Sequence, residues 1–206
     1  MARMKTEAKR ALILETAKRL LASKNVDVSM GQIAEAIGIP VGSIYTYFDS
    51  KQSLIETIIE EGWNEFRTWT EEGLAACKAS ERTADARTQS LISLSFLVNK
   101  ALPKLFSDVD LIMLLLSETD QTTKLEAKLQ YLAAMIADIV SACTVPSLSH
   151  VDPRQYDTGI TVLLLGALET LRIASKTDIR ISASDIQAFF KQIVENALGQ
   201  ALPDMD

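Results

Sequence analysis

Apolar residues recur at helical spacing along almost the whole 206-residue chain. Near the N-terminus, Ile13, Leu14, Ala17, Leu20 and Leu21 fall on one face of a helix with about 3.6 residues per turn. No segment alternates apolar and polar residues for long enough to predict a β-strand. The pattern therefore predicts an all-α fold of about nine helices.

Local start and stop signals place these helices along the chain. Ser182 and Asp185 form a capping box, Pro153 suits the first position of a helix, and Gly199 and Pro203 follow the end of the last one. The spacing predicts helices at about Thr6–Lys24, from Met30 to Gly38, Val41–Phe48, from Asp49 or Ser50 toward Thr70, Thr83–Leu102, Lys104–Leu116, Gln121–Cys143, Pro153–Ser175, and from Ser182 to Gly199.

Charge is distributed unevenly along the sequence. The whole chain has a net charge of −6, which by itself disfavours binding to a polyanion. Residues 1–52, however, contain eight Lys or Arg against five Asp or Glu, whereas the remainder contains thirteen against twenty-two. Only the N-terminal quarter is suited to approach nucleic acid.

The residue types that catalysis and metal binding need are sparse. Cys77 and Cys143 are 66 positions apart without a CxxC spacing, and His150, the single histidine, lies in a Pro/Ser-containing loop. The longest apolar run, Ile160–Leu168, is too short to cross a bilayer. We therefore expect no enzymatic activity, no cofactor, no metal site and no membrane association, in a soluble cytoplasmic protein.

One punctuated segment, Ser29–Lys51, reads SMGQIAEAIGIPVGSIYTYFDSK. Ser29 and Gln32 form a capping box that starts a short helix, and Gly38 suits a turn with positive φ. Ala34 is small enough to let a second helix cross at close range. This spacing predicts a helix-turn-helix, although three-helix units without DNA binding also produce it.

The second helix of this motif, Val41–Phe48, begins with small residues that would let its N-terminal end enter a major groove. Tyr47 ends the helix, and Ser50 and Lys51 begin the next one, where a hydroxyl, an ammonium group and a helix N-terminus suit phosphate contacts. We expect Phe48 to be a core residue that holds the motif on the first helix.

The segment Ile13–Ile59, and above all GSIYTYFDSKQSL within it, closely resembles the TetR family of bacterial transcriptional regulators. The rest of the chain resembles the family only in length and helical layout. The resemblance implies a DNA-binding domain at residues 1–50 and a ligand-binding and dimerisation domain at residues 51–206. It also implies a homodimeric repressor that binds a palindromic double-stranded DNA operator and is released by a small-molecule effector. The alternative is a helical protein-interaction adaptor without DNA binding.

The resemblance assigns DNA contacts residue by residue. Pro40 departs from the family pattern, because it replaces a small hydroxyl residue at the start of the recognition helix and offers neither a side-chain cap nor a phosphate hydrogen bond. Arg3, Lys5, Lys9 and Arg10 form either an arm toward the minor groove or an ordinary solvated basic end. The implied DNA-binding residues are Ser29, Val41, Gly42, Ser43, Tyr45, Thr46, Tyr47 and Lys51.

The last two long helices carry more apolar surface than one subunit needs for its core. About half of these positions are expected to pack within the subunit, and the others favour a two-fold four-helix dimer interface. The predicted interface residues are Leu163, Gly166, Ala167, Thr170, Ile186, Phe190 and Ile193.

The middle of the chain is where an effector is expected, in a mostly apolar pocket with a few polar anchors. The alternative is that these are core residues, because a polar group on a buried stripe usually finds a partner within the protein and an aromatic residue is more often core than pocket. An ionised Asp138 in such a pocket would favour a cationic lipophilic ligand. The predicted pocket residues are Trp63, Phe66, Phe96, Asn99, Tyr131 and Asp138.

Overall fold

The computed structural model describes residues 2–24, 28–80, 85–107, 122–142, 153–174 and 177–205. Every regular element in these ranges is helical, so the prediction of an all-α fold is confirmed. The elements are α1 (Ala2–Lys24), α2 (Met30–Ile37), α3 (Val41–Tyr45), α4 (Lys51–Ser80), α5 (Ala86–Phe96), a π-helical segment (Leu97–Ala101), α6 (Leu102–Ser107), α7 (Thr122–Ala142), α8 (Pro153–Ala174) and α9 (Ala183–Leu198).

The described residues form two compact units. The first comprises the described residues up to Glu65, and the second begins at Phe66, so that α4 belongs to both. The functional boundary predicted between residues 50 and 51 stays a prediction, because compactness does not identify the residues that bind DNA or ligand. No helix in the described part of the chain is long and apolar enough to span a bilayer.

The core of the first unit joins α1, α2, α3 and the start of α4. Four of the five residues in the predicted apolar stripe of α1 are buried, and Leu20 is partly buried against them. Helix α1 begins at Ala2 rather than Thr6, because the preceding Ala, Arg, Met and Lys are all good helix formers. The buried cluster comprises Ile13, Leu14, Ala17, Leu21, Val28, Met30, Ile33, Ala34, Ile44, Phe48, Leu54, Ile55 and Ile58.

Helix α4 extends ten residues beyond the predicted end near Thr70. Phe66, Thr70, Leu74 and Cys77 are buried at helical spacing, so the apolar stripe continues past that point. Gly73 lies within this stretch, and a Cβ atom there would stand only 2.1 Å from the Phe96 ring. The helix therefore keeps a glycine where another helix packs closely against it.

The predicted break at Pro103 is wrong. Leu102 and Pro103 begin α6, and the chain enters this helix from the π-helical segment, in which the Leu102 amide donates to the Leu97 carbonyl. Proline is tolerated in the first turn of a helix, where its missing amide would have no partner within that helix. Asp85 caps α5, and its Oδ1 accepts from the Thr88 amide at 2.8 Å, so the helix starts after the predicted Thr83.

Both predicted capping boxes are confirmed, one in each unit. Ser29 caps α2 with Gln32, and Ser182 caps α9 with Asp185. The glycines that follow these helices adopt left-handed backbone geometry, with φ of 75° at Gly38 and 67° at Gly199. The Ser182 hydrogen bonds hold the pKa of Asp185 below its usual range.

The core of the second unit is built from the second half of α4, α5, the π-helical segment, α6, α7, α8 and α9. Leu164 and Leu168 of α8 are almost completely buried, as is Ala133 of α7. Burial raises the pKa of the Cys77 thiol. Cys143 and His150 lie outside the described residues, and so does the predicted helical stretch from Asp108 to Leu116.

Candidate functional site

The turn between α2 and α3 is closed by backbone hydrogen bonds. The Gly38 amide donates to the Glu35 carbonyl at 3.1 Å, and the Ile39 amide donates to the Ala34 carbonyl at 3.0 Å. Ala34 and Ile44 are buried in the same cluster, so the small side chain lies where the two helices pack together. This arrangement is a helix-turn-helix.

Helix α3 exposes the N-terminal part of its outer face. Val41 is 44% exposed and Tyr45 is 50% exposed, although both side chains are apolar or aromatic. The space around Gly42 is open, because no heavy atom lies within 4 Å of a Cβ atom built there. The Thr46 hydroxyl donates to the Gly42 carbonyl at 3.3 Å. A binding partner could therefore come close to the backbone of this face as well as to its side chains.

Two serines that flank the motif cap helices. The Ser29 hydroxyl accepts from the Gln32 amide at 3.2 Å, and the Ser50 hydroxyl accepts from the Ser53 amide at 3.0 Å. A hydroxyl that accepts one hydrogen bond can still donate its own hydrogen to a phosphate. Lys51 follows as the first residue of α4, which places an ammonium group at a helix N-terminus.

Tyr47 and Phe48, the two aromatic residues that follow α3, differ in how far they are buried. Phe48 is buried in the first unit's core, which confirms its predicted role. Tyr47 is partly buried and packs against the same cluster, so its ring supports the fold in addition to any contact that its hydroxyl makes. Replacing Tyr47 by alanine would therefore disturb packing in the first unit.

Pro40 is the N-cap of α3, and its side chain makes no capping hydrogen bond. Its φ of −60° is compatible with helix entry, and the Ser43 amide donates to the Pro40 carbonyl at 2.8 Å. The interpretation of Pro40 as a position that sets backbone geometry without a side-chain cap is confirmed.

Arg10 has a role that sequence reasoning missed. Its Nη1 atom lies 2.8 Å from Oε1 of Glu61 on α4, and its guanidinium carbon lies 5.5 Å from the centroid of the Phe48 ring. Arg10 therefore joins α1, the end of the helix-turn-helix and α4, so it is neither an arm residue nor a purely solvated charge. The residue types gave a signal for this role, because a planar guanidinium group can pair with a carboxylate such as Glu61 and lie over a ring such as Phe48. The side chains of Arg3 and Lys5 lie outside the described set.

Residues 13–58 match a family model described as bacterial regulatory proteins, tetR family. Over these residues, the chain is similar to the TetR family. This match covers the capped helix-turn-helix and the start of α4. The similarity gives this segment the fold of a DNA-binding domain of that kind. No curated protein is significantly similar to the chain.

Solved structures share the fold of this chain over most of its length. A transcriptional regulator (TerR/AcrR family) from Aquifex aeolicus VF5 is 16% identical with a TM-score of 0.57, and the alignment covers 91% of this chain and 98% of that one. A putative fatty acid metabolism regulator from Clostridium perfringens is 15% identical with a TM-score of 0.56, over 94% of this chain and 100% of that one. At such low identity, these similarities show a shared fold.

Three of the residues predicted for an effector pocket contact partners within the protein. Phe96 packs against Trp69 with ring centroids 5.3 Å apart, and the side-chain Nδ2 of Asn99 donates to the Ser95 hydroxyl at 3.0 Å. The Tyr131 hydroxyl hydrogen-bonds to Glu71, and burial together with this carboxylate raises the pKa of Tyr131. Trp63 belongs to the first unit and the other five residues to the second.

Asp138 is exposed on α7. This position is on the polar, outward face of an amphipathic helix. The predicted place of Asp138 in an effector pocket stays a prediction.

One small cavity in the second unit includes only Phe66 of the predicted pocket set. Its volume is about 20 Å³, which is room for about one water molecule. The sequence did not single out the other nine lining residues, because an apolar residue that lines a cavity has the same sequence pattern as an ordinary core residue. The cavity is lined by Phe66, Thr70, Leu97, Ala101, Leu102, Leu105, Leu132, Met135, Ile136 and Leu164.

A larger apolar groove of about 400 Å³ lies between α8 and α9. Six of the seven residues predicted for the dimer interface line it, and Ile193 is the exception. Val162 and Phe189 also line the groove and are 62% and 60% exposed. The groove residues are Val162, Leu163, Gly166, Ala167, Thr170, Ile181, Asp185, Ile186, Phe189 and Phe190.

Proposed function

We propose that this chain is a TetR-family regulator, a homodimeric repressor that binds a palindromic DNA operator and leaves it when a small, mostly apolar effector binds. In this proposal, residues 1–50 bind DNA, and residues 51–206 bind the effector and form the dimer. The observation that carries the proposal is the exposed face of α3 within a capped helix-turn-helix. Val41 and Tyr45 project from that face although burial would be favourable for both.

DNA recognition would combine base and phosphate contacts. Val41, Gly42, Ser43 and Tyr45 would lie against base edges in the major groove, where small residues let the helix backbone come close. Ser29, Thr46, Tyr47 and Lys51 would reach the sugar-phosphate backbone, which fixes register without reading sequence. The net positive charge of the N-terminal quarter would favour this approach over one by any other part of the chain.

The dimer would form through the groove between α8 and α9. A two-fold axis brings the same surface of two subunits together, and an exposed Phe189 of one subunit would enter the apolar groove of the other. Val162, at 62% exposure, would lose its contact with water in the same interface. Two motifs in one dimer would then read two half-sites about one helical turn of DNA apart.

Release would use α4, which runs from Lys51 into the second unit. The helix has 30 residues, so at about 1.5 Å per residue it is about 45 Å long. Lys51 stands at the end that would meet phosphate, and Phe66 lines the cavity of the second unit. A ligand that shifted this helix would change the separation of the two recognition helices.

Selection from a random pool of DNA duplexes tests this function. Recovery of a palindrome, followed by affinity that falls steeply with salt concentration, is the expected result. The helical adaptor predicts neither outcome. A protein that enriches no sequence and shows no salt-dependent duplex binding would overturn the proposal. Once the operator is known, a compound screen for release would identify the effector.

A further inference from the structure

The segment after α9 folds back onto α5 and the π-helical segment. Leu202 is only 4% exposed and shares a core cluster with Leu94 and Val98. The hydroxyl of Ser95, a completely buried residue, donates to the Pro203 carbonyl. We call residues 200–205 the strap.

The strap also reaches the residues that surround the small cavity. Met205 packs against the cluster that contains Leu97 and Ala101, and both of these residues line the cavity. The Leu202 amide donates to Oε1 of Glu195 at 3.0 Å, which ties the strap to the end of α9. Within the π-helical segment, Val98 therefore shares a cluster with Leu202 of the strap, whereas Leu97 and Ala101 line the cavity.

The cavity is suited to a neutral apolar ligand. Nine of its ten lining residues are apolar, and the hydroxyl of the tenth, Thr70, donates to the Phe66 carbonyl at 2.8 Å. No lining residue is ionisable, so a charged ligand would lose hydration without gaining a partner. An apolar ligand would gain free energy from burial, but a volume of about 20 Å³ cannot hold it until a wall moves.

The π-helical segment is the wall best suited to move. Its backbone hydrogen bonds span five residues, as the bond from the Leu102 amide to the Leu97 carbonyl shows. Segments of this kind are rare in proteins, and those that occur are frequently at functional sites. Pro103 follows and has no amide to donate to the Asn99 carbonyl four residues earlier. This stretch therefore has less regular hydrogen bonding to lose when it rearranges than an α-helix of the same length has.

We propose that a neutral apolar ligand enlarges this cavity by displacing the π-helical segment, and that the strap opposes the displacement and so limits which ligands fit. The inference rests on the proposed function only in identifying this ligand as the effector. The strap holds the segment in its closed arrangement, so weakening the strap raises the fraction of molecules that can accept ligand and tightens apparent binding.

A fluorescent probe tests the role of the strap. The full chain is titrated with N-phenyl-1-naphthylamine, a neutral apolar dye, in wild-type, Leu202→Ala and Leu168→Ala forms. Leu168 is a leucine of α8 with 2% exposure that does not line the cavity, so it controls for general loosening of the core. We expect Leu202→Ala to lower the Kd by about fivefold or more and Leu168→Ala to leave it unchanged. Equal effects of both variants, an unchanged Kd in Leu202→Ala, or no binding to wild type would overturn the inference.

Hydrogen exchange of the wild-type protein locates the probe without any variant. The expected result is slower amide exchange in residues 97–107 when the dye binds. Slower exchange confined to residues 162–170 and 186–190 would place the dye in the groove between α8 and α9 and would contradict the proposed site. Operator binding is measured on the same preparation. Absence of dye binding with intact DNA binding refutes this inference alone, whereas absence of DNA binding refutes the proposed function.

Discussion

The faces of α3 and of the α8–α9 pair both expose apolar side chains, but their surroundings differ. On α3, Val41 and Tyr45 are 44% and 50% exposed, and the residues between them are Gly42, Ser43 and the buried Ile44. On the other face, Val162 and Phe189 are 62% and 60% exposed and border a groove of about 400 Å³.

This difference in surroundings indicates which kind of partner each face suits. Isolated apolar groups among small and hydroxyl residues fit base edges and thymine methyl groups, and residues 1–52 as a whole carry a net positive charge. A continuous apolar groove fits another protein surface from which water is fully excluded. Exposure alone does not separate the two faces, whereas the chemistry of the neighbouring residues does.

The largest expected effect is on dimerisation. Phe189→Glu places a charge in the groove, and a two-fold interface contains the change twice. A loss of about 2 kcal/mol per subunit would weaken the dimer by about a thousandfold. Sedimentation velocity over a range of concentrations measures the change. Leu12→Glu, at a 51% exposed apolar position on α1, is the matched control and should leave the dimer intact. An unchanged dimer in Phe189→Glu would assign the groove to another partner.

A smaller effect is expected at the DNA face. Tyr45→Ala should reduce operator affinity by about tenfold to a hundredfold, since a lost base contact costs about 1–3 kcal/mol. The free energy of unfolding should change by less than about 0.5 kcal/mol, because the side chain is half exposed. Fluorescence anisotropy with labelled operator and urea unfolding measure the two quantities. Wild-type operator affinity would remove Tyr45 from the DNA contacts.

Gly42→Ala is expected to change stability and DNA binding in opposite directions. No atom obstructs the added methyl group in the free protein, so the variant should be more stable by about 0.5–1 kcal/mol. Operator affinity should fall by about tenfold, because the methyl group would separate the helix backbone from the bases.

Gly62→Ala supplies the matched control for that prediction. Gly62 lies within α4, and an added Cβ atom there would also have no heavy atom within 4 Å, so the same substitution should stabilise the protein without weakening DNA binding. Thermal unfolding and anisotropy distinguish the two glycines. Equal operator affinity in both variants would contradict close approach of the α3 backbone.

The smallest expected effect concerns Arg10. Arg10→Lys keeps the charge but loses the planar group that lies over Phe48, so the free energy of unfolding should fall by about 0.5–1 kcal/mol. The loss should be smaller in high salt, because the ion pair with Glu61 is partly exposed. Urea unfolding at two salt concentrations measures both. Arg19→Lys, the same change at an exposed position of α1, should have no effect.

The two units also differ in how far their sequences predicted their structures. In the first, Ser29 and Gly38 act through hydrogen bonds and backbone geometry within a few residues, and such signals can be read directly from sequence. In the second, Ala167 is buried while Gly166 beside it is exposed, although both were predicted for the same interface. An apolar stripe does not tell which neighbour will cover it.

The helical fold, the two capping boxes and the helix-turn-helix could be predicted from the sequence, because each depends on the periodicity or chemistry of residues close together in the chain. Long-range packing instead places Arg10 against Glu61 and Phe48 and leaves Asp138 exposed to solvent. It also places the strap on the π-helical segment beside the cavity. These contacts join residues far apart in sequence, and no local pattern specifies which distant side chain occupies a given surface.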